Sequence, residues 1–257
     1  PPASWAGGAE PVIPESLRRT KDADLPELAE YEVRRHYTHL SQQTMGMMGI
    51  SLFGTCTMKH NPTVNEQIAA RSEVAAVHPR QDPSTWQGLL GIVHSLEEEL
   101  KNLSGMDAFS FQPGGGADAA YLHTVVTRAY HASRGELAQR TQIVTTAQAH
   151  PCNPATAKAA GFEVITLPVE EEGYPSLEAL KAVIGPHTAA LMLNNPDDMG
   201  IYNPHITEFI DAVHEVGGLA FYDSANFNGV MTRLRARDLG FDACMYMLHK
   251  TFGVPKG

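Results

Sequence analysis

Cysteine is scarce in this sequence: Cys56, Cys152 and Cys244 are the only three among 257 residues. They are too few and too scattered for a disulfide framework, so a reducing, cytoplasmic setting is expected. Basic charge is also short. Nineteen Lys and Arg face 29 Asp and Glu, a formal net charge of −10. A chain so acidic is a poor partner for nucleic acid or for an anionic membrane. No apolar run is long enough to span a bilayer. No basic segment followed by an apolar one opens the chain as a secretory leader would. No H-E-x-x-H or C-x-x-C spacing occurs, and His36, His39 and His78 fall on unrelated stretches, so no metal site is expected. Neither Cys56 nor Cys152 has a recognisable base partner that would make it a nucleophile.

What is present is apolar material for one sizeable core, 43% of residues. Residues 1–60 read as an N-terminal arm followed by a Gly-, Met- and Thr-rich active-site loop, and 61–257 as one large domain. The spacing predicts helices over 27–40 and 85–103, the latter from Leu89, Ile92, Val93, Leu96 and Leu100. From Phe109 onward strand and helix alternate. Gly114 to Gly116 precede a helix carrying Ala119, Leu122, Val125, Val126 and Ala129. Strands are predicted at 142–146, 163–169, 188–194, 219–222 and 243–248. Between them lie a helix opened by Asn153 as cap and Pro154, one over 176–184, and one carrying Ile206, Phe209, Ile210 and Val213. Such alternation predicts an α/β fold with a mostly parallel, doubly wound sheet. Ligands of these sheets bind outside the carboxyl ends of the strands. His150, Asn194, Asp223 and Lys250 all fall at or just past such ends.

Three of those positions, with the glycine run before the helix, meet the needs of pyridoxal phosphate chemistry: Lys250 as a lysine for the aldehyde, Asp223 as a carboxylate for the pyridine nitrogen, His150 as a flat side chain for the ring face and Gly114–Gly116 at a helix N-terminus for the phosphate. Taken singly, each residue has a plainer reading. Lys250 alone is a surface lysine, Asp223 a turn residue, His150 a structural histidine and the glycine run an ordinary loop. Asn153 is a helix cap as readily as a cofactor contact.

The stretches F-Q-P-G-G-G-A-D-A-A, A-H-P-C-N-P-A-T-A, A-A-L-M-L-N-N-P, F-Y-D-S-A-N and L-H-K-T-F-G-V-P-K-G occur in that order, after G-T-C-T-M-K-H-N-P and R-A-Y-H-A-S-R-G. From about Gly54 to the end the chain resembles the glycine decarboxylase family, the P proteins of the glycine cleavage system, and within it the catalytic second subunit of the two-subunit form. The resemblance implies a fold-type-I large domain with pyridoxal 5'-phosphate as cofactor. It implies that Lys250 is the Schiff-base lysine, that Asp223 pairs with the ring nitrogen and that His150 stacks on the ring. It places Gly115, Gly116 and Ala117 around the phosphate, helped by Thr251, with Asn153, Asn226 and His249 also at the cofactor. It implies decarboxylation of glycine and passage of the aminomethyl group to a lipoyl carrier protein. It further implies a sister subunit and a homo- or hetero-oligomer. Family members also carry a C-terminal small domain beyond the lysine, which these 257 residues do not contain.

Departures from the family pattern cluster around the expected cofactor: Gly114, Gly115 and Asp118 in the phosphate loop, Pro151 and Cys152 after His150, Ser224 after Asp223, and Lys256. They leave two other readings open. One is a related pyridoxal phosphate lyase or transferase acting on another small amino acid. The other is a non-catalytic scaffold subunit, against which the presence of both Lys250 and Asp223 argues.

Overall fold

A computed structural model describes residues 14–17, 19–21, 24–43 and 61–254. The loop around Cys56 and the residue Lys256 lie outside the described residues. The chain divides into two compact units, 1–51 and 52–257. In the first, the predicted helix forms α1 (Glu30–Gln43), with Glu30 and Glu32 favourably placed in its first turn.

The second unit opens with two short helices, α2 (Thr63–Ala69) and α3 (Ser72–Ala75), followed by α4 (Gln87–Ser104) and α5 (Gly116–Ser133). A parallel α/β alternation follows: β1 (Gln142–Thr146), α6 (Cys152–Ala159), β2 (Glu163–Leu167), α7 (Leu177–Lys181), β3 (Thr188–Asn194), α8 (Ile206–Glu215), β4 (Leu219–Ser224) and β5 (Ala243–Tyr246). The sheet order is β2-β1-β3-β4-β5, with every pairing parallel. This is the doubly wound sheet that the sequence predicts, the arrangement of a fold-type-I large domain. All seven residues of the central β3 are buried, which explains its nearly unbroken apolar run. Helix α8 lays Ile206, Phe209, Ile210 and Val213 onto β3 and β4. Each such side chain contributes roughly 1.5–3 kcal/mol on burial.

Three local expectations are corrected. Helix α6 begins at Cys152 after Pro151, so Asn153 lies inside its first turn and is not its cap. Pro154 still fits, because a first-turn residue needs no N–H partner. Strand β5 stops at Tyr246 because the backbone N–H groups of Lys250 and Thr251 turn back to the Met247 carbonyl, at 3.0 and 3.3 Å. Helix α5 is turned inside out relative to its apolar stripe. It buries Ala120, His123, Thr124, Thr127 and His131, while Leu122, Val125 and Val126 are exposed. Specific contacts hold the polar face inward. His123 stacks on Phe221 with ring centroids 4.1 Å apart, and His131 Nε2 bonds the Ala189 carbonyl at 2.9 Å. Burial lowers the His123 pKa to about 3, so its ring is neutral at physiological pH.

Candidate active site

The chain winds from β1 outward to β2, then returns past β1 to β3. That reversal opens a crevice at the carboxyl ends of β1 and β3. The β1–α6 loop brings His150 to its rim. The His150 Nδ1 accepts the Cys152 backbone N–H at 3.1 Å, which leaves the neutral ring's proton on Nε2. The residue is exposed.

Asp223 lies deeper, in β4, 1% exposed. Its Oδ1 accepts the Ala225 N–H at 3.0 Å, and its Oδ2 accepts an N–H from Asn153 Nδ2 at 3.2 Å. Burial raises its pKa above the usual 3.8, while those two hydrogen bonds and the nearby His150 pull the other way. No described cation lies within ion-pair distance of this carboxylate. A buried carboxylate in this state favours a cationic partner, and a protonated ring nitrogen is one.

Lys250 lies half-buried in the turn after β5. It belongs to the same neighbourhood. The Cys152 thiol, raised to about 12 first by burial and then by Asp223 and Asp198, is partly offset by the positive charge of Lys250. Such a thiol stays protonated, which disfavours Cys152 as a nucleophile. Thr251 follows Lys250, and its buried hydroxyl has no hydrogen-bond partner among the described residues. The same is true of the Ser224 hydroxyl and of Asn194 Oδ1 at neighbouring strand ends.

Gly115 and Gly116 start α5 beside the end of β5. A Cβ on Gly116 would overlap the Sδ and Cε end of Met247, so a side chain there would require that flexible methionine to shift. Asp118, a carboxylate close to the expected phosphate cradle, turns back to accept the Gly114 N–H at 3.1 Å. A largely apolar cavity of about 680 Å³ reaches the same glycines, running between α5, Phe109, Phe111 and the outer side of β5. Its walls are largely aliphatic, aromatic and thioether groups, so the convergent polar chemistry lies in the crevice.

The structure thus draws together His150, Asn153, Asp223 and Lys250, and sets Gly115, Gly116, Thr251 and His249 around the adjoining turn. It does not leave Asn226 free. The Asn226 Nδ2 donates to the Pro196 and Asp197 carbonyls, at 3.1 and 2.9 Å, and so ties down the loop after β3. Ala117 is exposed on the first turn of α5. Sequence reasoning missed Asp198, whose only signal is its place four residues beyond a strand-end asparagine. Pyridoxal phosphate fits these residues: a buried carboxylate with no ion-pair partner among the described residues for its ring nitrogen, hydroxyls without partners there for its polar atoms, and a glycine-lined helix terminus for its phosphate.

The aminotransferase class-V family matches residues 115–257. The chain belongs to this family. This class-V chain is 48% identical over 246 residues to a Thermococcus kodakarensis protein named "Probable glycine dehydrogenase (decarboxylating) subunit 2", covering 95% of this chain and 49% of the relative. A Staphylococcus saprophyticus protein of the same name is 42% identical over 252 residues, covering 98% of this chain and 51% of the relative. The chain spans about half the length of these curated relatives. Among solved structures, a glycine decarboxylase (P-protein) of the glycine cleavage system superposes with a TM-score of 0.69 at 24% identity, over 90% of this chain and 51% of the other. A NifS-like protein superposes at 0.60 and 19% identity, over 77% and 54%. At such identities these structures support the class-V fold alone.

Proposed function

We propose that this chain carries the pyridoxal phosphate site of a glycine decarboxylase. The observation that carries the reading is Asp223, a buried carboxylate with no ion-pair partner among the described residues, in the same neighbourhood as the strand-end residues His150 and Lys250. The relatives' names and the ordered motifs favour glycine as substrate.

Pyridoxal phosphate supplies an aldehyde that condenses with amines and a ring that takes up the electron pair released on decarboxylation. The chain's own residues do the rest. Lys250 offers the amine that holds the aldehyde and yields it to glycine. Asp223 keeps a proton on the ring nitrogen, and Asn153 with the Ala225 N–H keeps that carboxylate in place. His150 covers one ring face. The N-terminal N–H groups of α5 at Gly116 and Ala117, with the Thr251 hydroxyl, take the phosphate. Glycine then gives carbon dioxide, and its aminomethyl group joins one sulfur of a carrier's lipoyl disulfide while the other sulfur gains a proton. A lipoyl carrier protein, a sister subunit and an oligomeric assembly in the cytoplasm belong to this reading.

The purified protein with added pyridoxal phosphate is expected to show a visible absorbance band that Lys250→Ala abolishes. A protein that stays colourless sinks the reading. Exchange of labelled bicarbonate into the glycine carboxyl group, with lipoylated carrier and sister subunit present, tests the substrate. A visible band without exchange, alongside turnover of another small amino acid, would give the site to a related reaction.

A further inference from the structure

The loop after β3 places a carboxylate that neither the motifs nor the proposed reaction uses. Asn194 ends β3 and pairs in register with Asp223 of β4, so the two side chains emerge on the same face of the sheet. Asn194 is 5% exposed. Its Nδ2 donates to Asp198 Oδ1 at 2.7 Å, while its Oδ1 is buried without a hydrogen-bond partner among the described residues. Asp198 is itself held from two sides. Its backbone N–H donates to the Gln148 carbonyl at 3.3 Å, and Asn226 Nδ2 approaches its Oδ1 at 3.5 Å. One residue therefore links the loops after β1, β3 and β4.

We propose that Asp198 is a positioning residue that fixes the orientation of the Asn194 amide, so that the crevice beside Asp223 presents a carbonyl acceptor to the bound group. The chemistry is simple. An ionised carboxylate can only accept hydrogen bonds, so whichever end of the Asn194 amide faces it must be the N–H end. The carbonyl is then turned the other way, where burial makes an unpaired acceptor costly until a hydroxyl or N–H donor arrives. Asp198 also acts through its charge. With the thiol of Cys152, the imidazole of His150 and the ammonium of Lys250 around the same crevice, it is the second carboxylate there. Its negative charge contributes to the raised proton affinity of Asp223. Two effects should therefore separate: amide orientation needs an acceptor at position 198, and the influence on Asp223 needs a charge.

This inference rests on reading the crevice as the pyridoxal phosphate site, but its first test does not use the cofactor. In apoprotein labelled with ¹⁵N, the Asn194 side-chain NH₂ is expected to be protected from exchange, and Asp198→Ala should lower that protection about tenfold or more. Asp198→Asn keeps an acceptor oxygen, so it should restore the protection while lowering the titration midpoint of Asp223 followed by ¹³C NMR. A merely structural role would move neither signal in this opposed way. Added pyridoxal phosphate should then bind about tenfold more weakly to Asp198→Ala than to the starting protein. Unchanged Asn194 exchange in Asp198→Ala overturns the proposal, as does an Asp223 midpoint unmoved in Asp198→Asn. A starting protein that ignores pyridoxal phosphate overturns the functional reading instead and leaves the amide test standing.

Discussion

The two edges of the sheet treat polar groups in opposite ways. At the amino-terminal edge most are matched, although Arg140 Nε makes no hydrogen bond among the described residues. Arg140 Nη1 donates to the carbonyls of Thr188 and Val216 at 3.0 and 2.6 Å, and Glu136 faces its Nε at 3.4 Å. Gly217, at φ 84°, leaves no Cβ in the path of that guanidinium. His214 meets Asp242 at 2.8 Å, and the same carboxylate oxygen accepts the Ala220 N–H at 2.7 Å. At the carboxyl-terminal edge, Asp223 is buried with no ion-pair partner among the described residues, and there Asn194 Oδ1 and the Ser224, Tyr246 and Thr251 hydroxyls lack hydrogen-bond partners. Stability is concentrated at one edge, and unmet binding capacity at the other. Unsatisfied buried groups cost stability and persist where a ligand satisfies them.

The comparison breaks first if Arg140 proves dispensable. Arg140→Ala leaves two part-buried carbonyls without this donor and takes one of its cations from Glu136, which keeps Arg134, and we expect a loss of about 3 kcal/mol. Calorimetry should show a fall in Tm on the order of 10 °C, with cofactor affinity per folded molecule unchanged. Asp223→Asn should do the reverse. Losing a charge-assisted hydrogen bond to the cofactor corresponds to about 1.5–3 kcal/mol, or tenfold to a hundredfold in affinity, read by absorbance titration. The apoprotein, however, should gain stability. The folded pKa of Asp223 is raised, so its contribution is full below the unfolded value near 3.8 and is lost as pH rises through the folded value. The variant's advantage should therefore appear above about pH 4 and grow with pH. An apoprotein equally stable with Asp or Asn at all pH values would undo the contrast. The smallest effect belongs to His214→Ala. That pair is more than a third exposed, so its loss should cost under about 1 kcal/mol and shrink with salt.

Much of this was legible in sequence because buried parallel strands write themselves as apolar runs. β1 and β3 fall where predicted, residue for residue. The strand-end rule also singled out His150, Asp223 and Lys250, which the structure places in one neighbourhood. What was not legible depends on partners distant in sequence. Asn153 reads locally as a cap, since only the folded chain brings it to Asp223, 70 residues away. The α5 stripe reads as core-facing, yet stacking on Phe221 and a bond to the Ala189 carbonyl draw the helix's polar face inward. Asp198 lies on no regular element, so no period could single it out.

The all-parallel sheet carries a consequence for how the molecule assembles. A parallel sheet contains no hairpin, so each strand pair forms only after an intervening crossover has been closed. The loop entropy is lost before the pairing compensates for it, which makes the search slow. The Asn153–Asp223 bond needs β1, β3 and β4 all in register, so it can exist only near the end of that search. Acquisition of ligand binding is therefore a late clock for this chain, ticking after helical signal has already appeared.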